Sequence, residues 1–143
     1  MGGFLGRFEY QLDDKGRVSL PAAFRRATES ESFVLLRADS EALTLLPAST
    51  WAEVQARLLE YRKSSGAAKS VVRRLAASSV EVKPDKQGRI LIPSWLQEEA
   101  GLDGAVLLVG ALDRIEIWNP ERFKASLREG DEEFERFAPQ IFG

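Results

Sequence analysis

The 143-residue sequence contains no cysteine and no histidine, and these two gaps remove whole classes of chemistry. Without thiols there are no disulfides and no thiolate nucleophile, which fits a reducing compartment. Without imidazole, the commonest general base and most zinc ligand sets are gone. No apolar run approaches the roughly 20 residues that a membrane span requires. The opening stretch MGGFLGRFEYQLDD lacks a long apolar segment and carries acids early, so no signal peptide is expected. Excess charge is also missing. A net charge of −2 argues against coating nucleic acid by bulk electrostatics, while leaving room for a locally basic surface. What is present, 44% hydrophobic and 29% charged residues, is an ordinary globular composition. It suits one domain or two tightly joined small ones, expected in the cytoplasm.

One phrase occurs twice. LDDKGRVSLPAAFR at 12–25 and PDKQGRILIPSWLQ at 84–97 share Asp13/Asp85, Gly16/Gly88, Arg17/Arg89 and Pro21/Pro93, all offset by 72 positions. The same offset carries Val34 to Val106, Leu43 to Ile115 and Trp51 to Phe123. Register kept at this many points is an internal repeat. The units span 4–62 and 76–137, with a helical connector over 63–75 and a tail over 138–143. Each unit reads as a strand, the motif, a second alternating strand (VSL or ILI) and a short helix opened by proline. Two more strands and a longer helix complete it. In the first long helix Trp51, Val54, Leu58 and Tyr61 recur at helical spacing, with Ser49 or Thr50 as cap. In the connector, SSGAAKSVVRRLAASS predicts a further helix joined through Gly66. Gly101 suits a helix C-terminus. Phe134 and Phe137 in the acidic tail are candidates for docking. The fold class is therefore α+β, built of two tandem β-units with flanking helices.

Asp-x-x-Gly between strand-like runs is first of all a turn. Glycine supplies positive φ, and Asp bonds its own downstream amides. On that reading Asp13, Gly16, Asp85 and Gly88 fix strand register, and the arginines merely pair with Asp. Lys15, Arg17, Lys86 and Arg89, however, project from equivalent turns. An arginine fork matches guanine O6 and N7 or a phosphate, and lysine supplies a point charge. Such turns on a rigid strand platform suit a nucleic-acid groove; a solvated basic turn is the plainer alternative. Phe8, Tyr10, Phe24, Trp51, Trp95 and Trp118 are candidates for core or for unit and subunit packing. Arg73 and Arg74 suit a solvated helix face, a neighbour's acids or nucleic acid.

The two motifs, with FLGRFEYQLDDKGRVSLPAAFR, VVRRLAASSVEVKPDKQGRILIP, AGLDGAVLLVG and IEIWNPERF in that order, resemble the MraZ family over nearly the whole chain. These are bacterial regulators of the division and cell-wall gene cluster, related to AbrB-type swapped-hairpin DNA-binding domains. The resemblance implies two AbrB-like units interlocked about a pseudo-twofold axis. It also implies a homo-oligomeric ring whose turns contact double-stranded DNA carrying short repeated G-rich boxes. Carried over by position, Asp13 with Arg17 and Asp85 with Arg89 are the paired elements, and Lys15 is the motif lysine. Gln87 departs from the pattern; Lys86 is the candidate to replace it. Residues 13–17 carry no net charge and residues 85–89 carry +1. A single subunit would thus bind modestly, and linked repeats would recover about 10²–10⁴ in avidity.

Two other readings stand beside this one. The side-by-side acids Asp13/Asp14, Glu98/Glu99 and Glu132/Glu133 suggest an enzyme only if they converge on a pocket, and no phosphate loop, dinucleotide fingerprint or nucleophile elbow occurs. No enzyme activity and no cofactor are expected. An AbrB-like protein-binding module of the antitoxin type is the second, with DEEFERFAPQIFG as the segment a partner would engage.

Overall fold

Strands form where alternating β-branched and leucine residues lie between turn residues, and each repeat produces the same series. The computed structural model describes residues 3–143; Met1 and Gly2, at the head of the stretch read for a signal, lie outside the described residues. The first unit contains β1 (Arg7–Gln11), β2 (Arg17–Ser19), α1 (Ala22–Arg26), β3 (Phe33–Leu36), β4 (Leu43–Pro47) and α2 (Ala48–Arg62). After α3 (Gly66–Ser78), the second contains β5 (Val80–Val82), β6 (Arg89–Leu91), α4 (Ser94–Glu99), β7 (Ala105–Gly110), β8 (Ile115–Trp118) and α5 (Pro120–Glu129). A last helix, α6, covers Asp131–Phe142.

The two units interlock. The large sheet runs β1-β7-β8-β4-β3-β5, and β2 pairs with β6 in a separate ribbon. Exchanging each strand for its repeat equivalent reverses the large sheet's order without changing it, so the chain carries a pseudo-twofold axis between β4 and β8. All pairings are antiparallel, and those of β1 with β7, β3 with β5, β4 with β8 and β2 with β6 cross between units. Only β3 with β4 and β7 with β8 pair inside one unit. The α+β fold expected from the repeat and the pseudo-twofold interlock implied by the resemblance are both observed.

The main core lies between the large sheet and the ribbon with its two short helices. Phe33, Leu35, Leu43 and Leu45 enter it from one unit, and Val106, Leu108, Ile115 and Ile117 from the other. Val18 and Ile90 close it from the ribbon, at 1% and 0% exposure. Phe24 anchors the centre, with Phe4 and Phe8 packed edge-on at 5.8 and 5.2 Å, geometry that aromatic quadrupoles favour. Strand alternation sends Val34, Leu36 and Leu46 to the opposite face, against Trp51, Val54 and Leu75. Leu107 and Trp118 do the same under Phe123. Of the six candidate aromatics, Phe24 and Trp118 are buried, Phe8, Tyr10 and Trp51 half-buried, and Trp95 exposed.

Helix ends differ from expectation in several places. Pro21, Pro47 and Pro93 each precede their helix as the capping residue, with φ near −55° and ψ of 141–150°, rather than filling its first turn. Because β4 runs straight into α2 at Pro47, Ser49 and Thr50 lie inside the helix and cap nothing; Ser49 Oγ instead faces Ser30 Oγ at 3.3 Å. Ser65 caps α3 by accepting from the Ala68 N–H at 2.9 Å, so Gly66 is the first helical residue and not the joint. Gly101, at φ +65°, ends α4, as its N–H and that of Leu102 donate to Glu98 and Gln97 carbonyls. The tail docks on nothing among the described residues. Every residue of α6 is exposed, since a one-residue link, Gly130, leaves no room for the chain to reverse onto α5.

Candidate nucleic-acid interface

Each motif folds as a turn closed by its own backbone. Gly16 N–H donates to Asp13 O at 3.1 Å and Asp13 N–H to Arg17 O at 2.9 Å; Gly88, Asp85 and Arg89 repeat this at 2.9 and 2.9 Å. The glycines hold φ of +83° and +78°, where a side chain is strained. The carboxylates then organise the loop. Asp13 Oδ1 accepts the N–H groups of Lys15 and Arg17 at 2.9 and 2.8 Å, and Asp85 Oδ1 accepts those of Gln87 and Arg89 at 2.9 Å each. These backbone donors, chiefly Arg17 N–H for Asp13 and Arg89 N–H for Asp85, hold both carboxyls below their ordinary range.

The second carboxylate oxygen orients the arginine. Arg17 Nε donates to Asp13 Oδ2 at 2.7 Å and Arg89 Nε to Asp85 Oδ2 at 3.0 Å. Arg89 Nη1 also lies 3.8 Å from Asp13 Oδ2, an ion pair that joins the two units. Among the described residues neither arginine donates a hydrogen bond through Nη1 or Nη2. Each fork is therefore aimed by its inner nitrogen, and its outer nitrogens keep hydrogen-bonding capacity for an external acceptor, Arg89 Nη1 beside the Asp13 carboxylate.

The ribbon sets where the forks point. Arg17 pairs with Leu91, Val18 with Ile90 and Ser19 with Arg89. Cross-strand partners share a face, so with Val18 and Ile90 turned to the core, Arg17 and Arg89 both project from the outer face. Leucine 20 N–H to Gly88 O and Ile92 N–H to Gly16 O, at 2.8 and 2.9 Å, extend the ribbon symmetrically and tie each turn to the other unit. Lys15 and Lys86 are exposed on the turns. The structure thus gathers Asp13, Lys15, Gly16, Arg17, Asp85, Lys86, Gly88 and Arg89 on one two-stranded element and its turns. The Asp–Arg pairing read as a purely structural possibility is present, and it leaves the outer nitrogens of both arginines without hydrogen bonds among the described residues, with Arg89 Nη1 in a looser ion pair to Asp13.

Two neighbours escaped the sequence reading. Arg25 of α1 covers Gly88, its guanidinium about 3.1 Å from where a Cβ would sit, and donates to Leu20 O at 3.2 Å. Gln97 of α4 covers Gly16 and donates to Ile92 O at 2.7 Å. The offset of 72 relates 25 to 97 and was the available signal, but the residue types differ and each contact reaches across to the opposite unit. Arg25 adds a cation beside the turn that carries Gln87 in place of lysine.

Fold and site together define a class: an internally duplicated α+β protein whose halves interlock to present two Asp-oriented arginine turns on one ribbon. A family described as "MraZ protein, putative antitoxin-like" matches residues 4–74 and again 75–140. The chain belongs to the MraZ family. It is 36% identical over 138 residues to "Transcriptional regulator MraZ" of Pediococcus pentosaceus, covering 96% of both chains. Proteins of the same name from Moorella thermoacetica and Thermomicrobium roseum are 34% identical over 96% and 38% identical over 85% of both chains, respectively.

Proposed function

We propose that this chain is a non-enzymatic, sequence-specific DNA-binding transcriptional regulator of the bacterial division and cell-wall gene cluster. It binds short repeated G-rich promoter boxes in double-stranded DNA as a ring of identical subunits, in the cytoplasm and on the nucleoid. The observation that carries this reading is the pair of arginines with Nε bound to Asp and no hydrogen bond from either outer nitrogen among the described residues, projecting from one face of a rigid ribbon. Arg17 and Arg89 read base edges or phosphates, Lys15 and Lys86 contact phosphates, and Asp13, Asp85, Gly16 and Gly88 hold the turns. A two-stranded ribbon fits the major groove, where a bidentate arginine–guanine contact discriminates by about 1–3 kcal/mol. The relatives' name supports regulation of transcription.

The test is titration of duplex fragments carrying one, two or four G-rich boxes, at several salt concentrations, with scattering mass followed in parallel. Specific affinity rising steeply with box number and falling with salt is the expected result. Arg17→Ala and Arg89→Ala each weaken specific binding by about 1–3 kcal/mol while the scattering mass stays unchanged. Wild-type-like binding by either variant removes that turn from the interface. The exposed α6 favours a second reading, an antitoxin-type protein-binding module; absence of DNA binding even at low salt would leave that reading standing.

A further inference from the structure

Helix α6 carries an apolar stripe that nothing among the described residues covers. Phe134, Phe137, Ile141 and Phe142 are exposed at 72, 36, 70 and 78%. Spacings of three and four residues place the first three on one side of the helix. The phenylalanines touch one another, with ring centroids 5.1 and 6.0 Å apart. Around them stand four acids, Asp131, Glu132, Glu133 and Glu135, against the single base Arg136. Exposed apolar surface of this kind marks an interaction site rather than ordinary solvent-facing helix.

The complementary surface is on the same chain. Between the α2–α3 hairpin and the outer face of the large sheet lies an open cavity of about 580 Å³. Val54, Leu58, Val71 and Leu75 form its walls, and Val71 is 51% exposed. Its rim carries three cations, Arg37, Arg74 and Arg114, against one acid, Glu99. Arg37 has Glu99 at 3.9 Å and Arg114 has Asp113 at 2.8 Å, whereas Arg74 has no acidic partner among the described residues. An apolar trough with a basic rim matches an apolar stripe with acidic flanks.

We propose that α6 of one copy seats in the α2–α3 trough of a second copy, with its aromatic stripe inward and its acids toward Arg74 and the rim. The repeat explains why a second copy is required. Helix α3 folds back beside α2 through Lys63, Ser64 and Ser65, but α6 follows α5 through Gly130 alone and stays off its own chain. Donor and acceptor surfaces differ, so the contact is head-to-tail and closes into a ring or extends as a filament. This rests on the assembly reading above and assigns the surfaces that make it.

The absence of native cysteine makes the test clean. Full-length Phe134→Cys and Val71→Cys chains, mixed and oxidised, are expected to form a covalent dimer that neither forms alone. Full-length Phe134→Ser/Ile141→Ser is expected to scatter as the 15.9 kDa single chain where wild type scatters as several, and to keep a cooperative unfolding transition because α6 is exposed on its own chain, at a temperature lowered only by the loss of assembly. If that variant assembles like wild type, the docking is wrong and the assembly reading survives. If wild type itself is a single chain, both are wrong. Should the variant fall apart without any 134–71 cross-link forming in the mixture, the trough is not the seat.

Discussion

At Gly16 and Gly88 the backbone turns left-handed and a neighbouring side chain lies directly over the Cα. A Cβ on Gly16 would meet Gln97 Nε2 at 2.5 Å and the backbone oxygen of Ile92 at 3.1 Å; on Gly88 it would meet only the Arg25 guanidinium, at 3.1 Å. Left-handed backbone alone costs a non-glycine residue roughly 1–2 kcal/mol. Gly16→Ala is therefore expected to destabilise by at least that much, and by more than Gly88→Ala, because a side chain yields and a carbonyl does not. Urea midpoints of the two variants settle the order, and equal midpoints would refute the argument. The same turns set an acid limit. Asp13 and Asp85 titrate below the ordinary 3.8 because Arg17 and Arg89 N–H groups bind their charged forms, and Asp113 does so beside Arg114. A depressed folded value contributes stability above pH 3.8, lost as pH falls through the folded value. The unfolding temperature is expected to fall below about pH 4, and Asp13→Asn, which keeps the shape but not the charge, to flatten that fall. Parallel wild-type and Asp13→Asn curves would show that the charge at Asp13 plays no part.

The helix ends separate what local chemistry announces from what the fold decides. Asn119 caps α5, with Oδ1 accepting from Glu121 and Arg122 N–H at 2.8 and 3.2 Å, while Nδ2 donates to Gly101 O at 2.8 Å and ties α5 to the end of α4. Ser49 and Thr50, the two residues a capping rule offers for α2, cap nothing there. Asn119→Ala is thus expected to cost about 1 kcal/mol and Ser49→Ala to stay within about 0.5 kcal/mol, as thermal unfolding of the two variants would show; the reverse order would mean α2 begins elsewhere. Turns, strands, the short helices and the Gly101 stop were legible in sequence because Asp, Gly and Pro act on their immediate neighbours. The start of α2 was not, since Pro47 serves β4 and the helix together. Docking of Phe134 and Phe137 was expected from their apolarity, yet apolarity marks a surface to be buried and not the chain that buries it. The candidate site was legible to the same extent: the repeat announced Arg17 and Arg89 but not Arg25 or Gln97, whose places over Gly88 and Gly16 exist only once the units cross.

Across the whole molecule, the interlock decides how the two turns behave. Apart from the β3–β4 and β7–β8 hairpins, every strand ladder joins one unit to the other, and one core cluster draws on both. A repeat whose copies stacked as beads would unfold copy by copy; here each copy alone keeps no more than one two-stranded hairpin. Equilibrium unfolding is therefore expected to be a single transition for both units. Single-tryptophan variants report on each. Trp51 packs on Val34, Leu36 and Leu46 in the first, and Trp118 packs on Phe123 with ring centroids 5.5 Å apart in the second, the other tryptophans being changed to phenylalanine. Urea curves from the two probes should share one midpoint and one slope. Separate midpoints would mean that one unit survives the loss of the other. With a shared midpoint, the β2–β6 ribbon forms only when both units are folded, so Arg17 and Arg89 reach their common face together or not at all. A substitution that loosens one unit then disturbs the candidate surface built by both, however far it lies from either arginine.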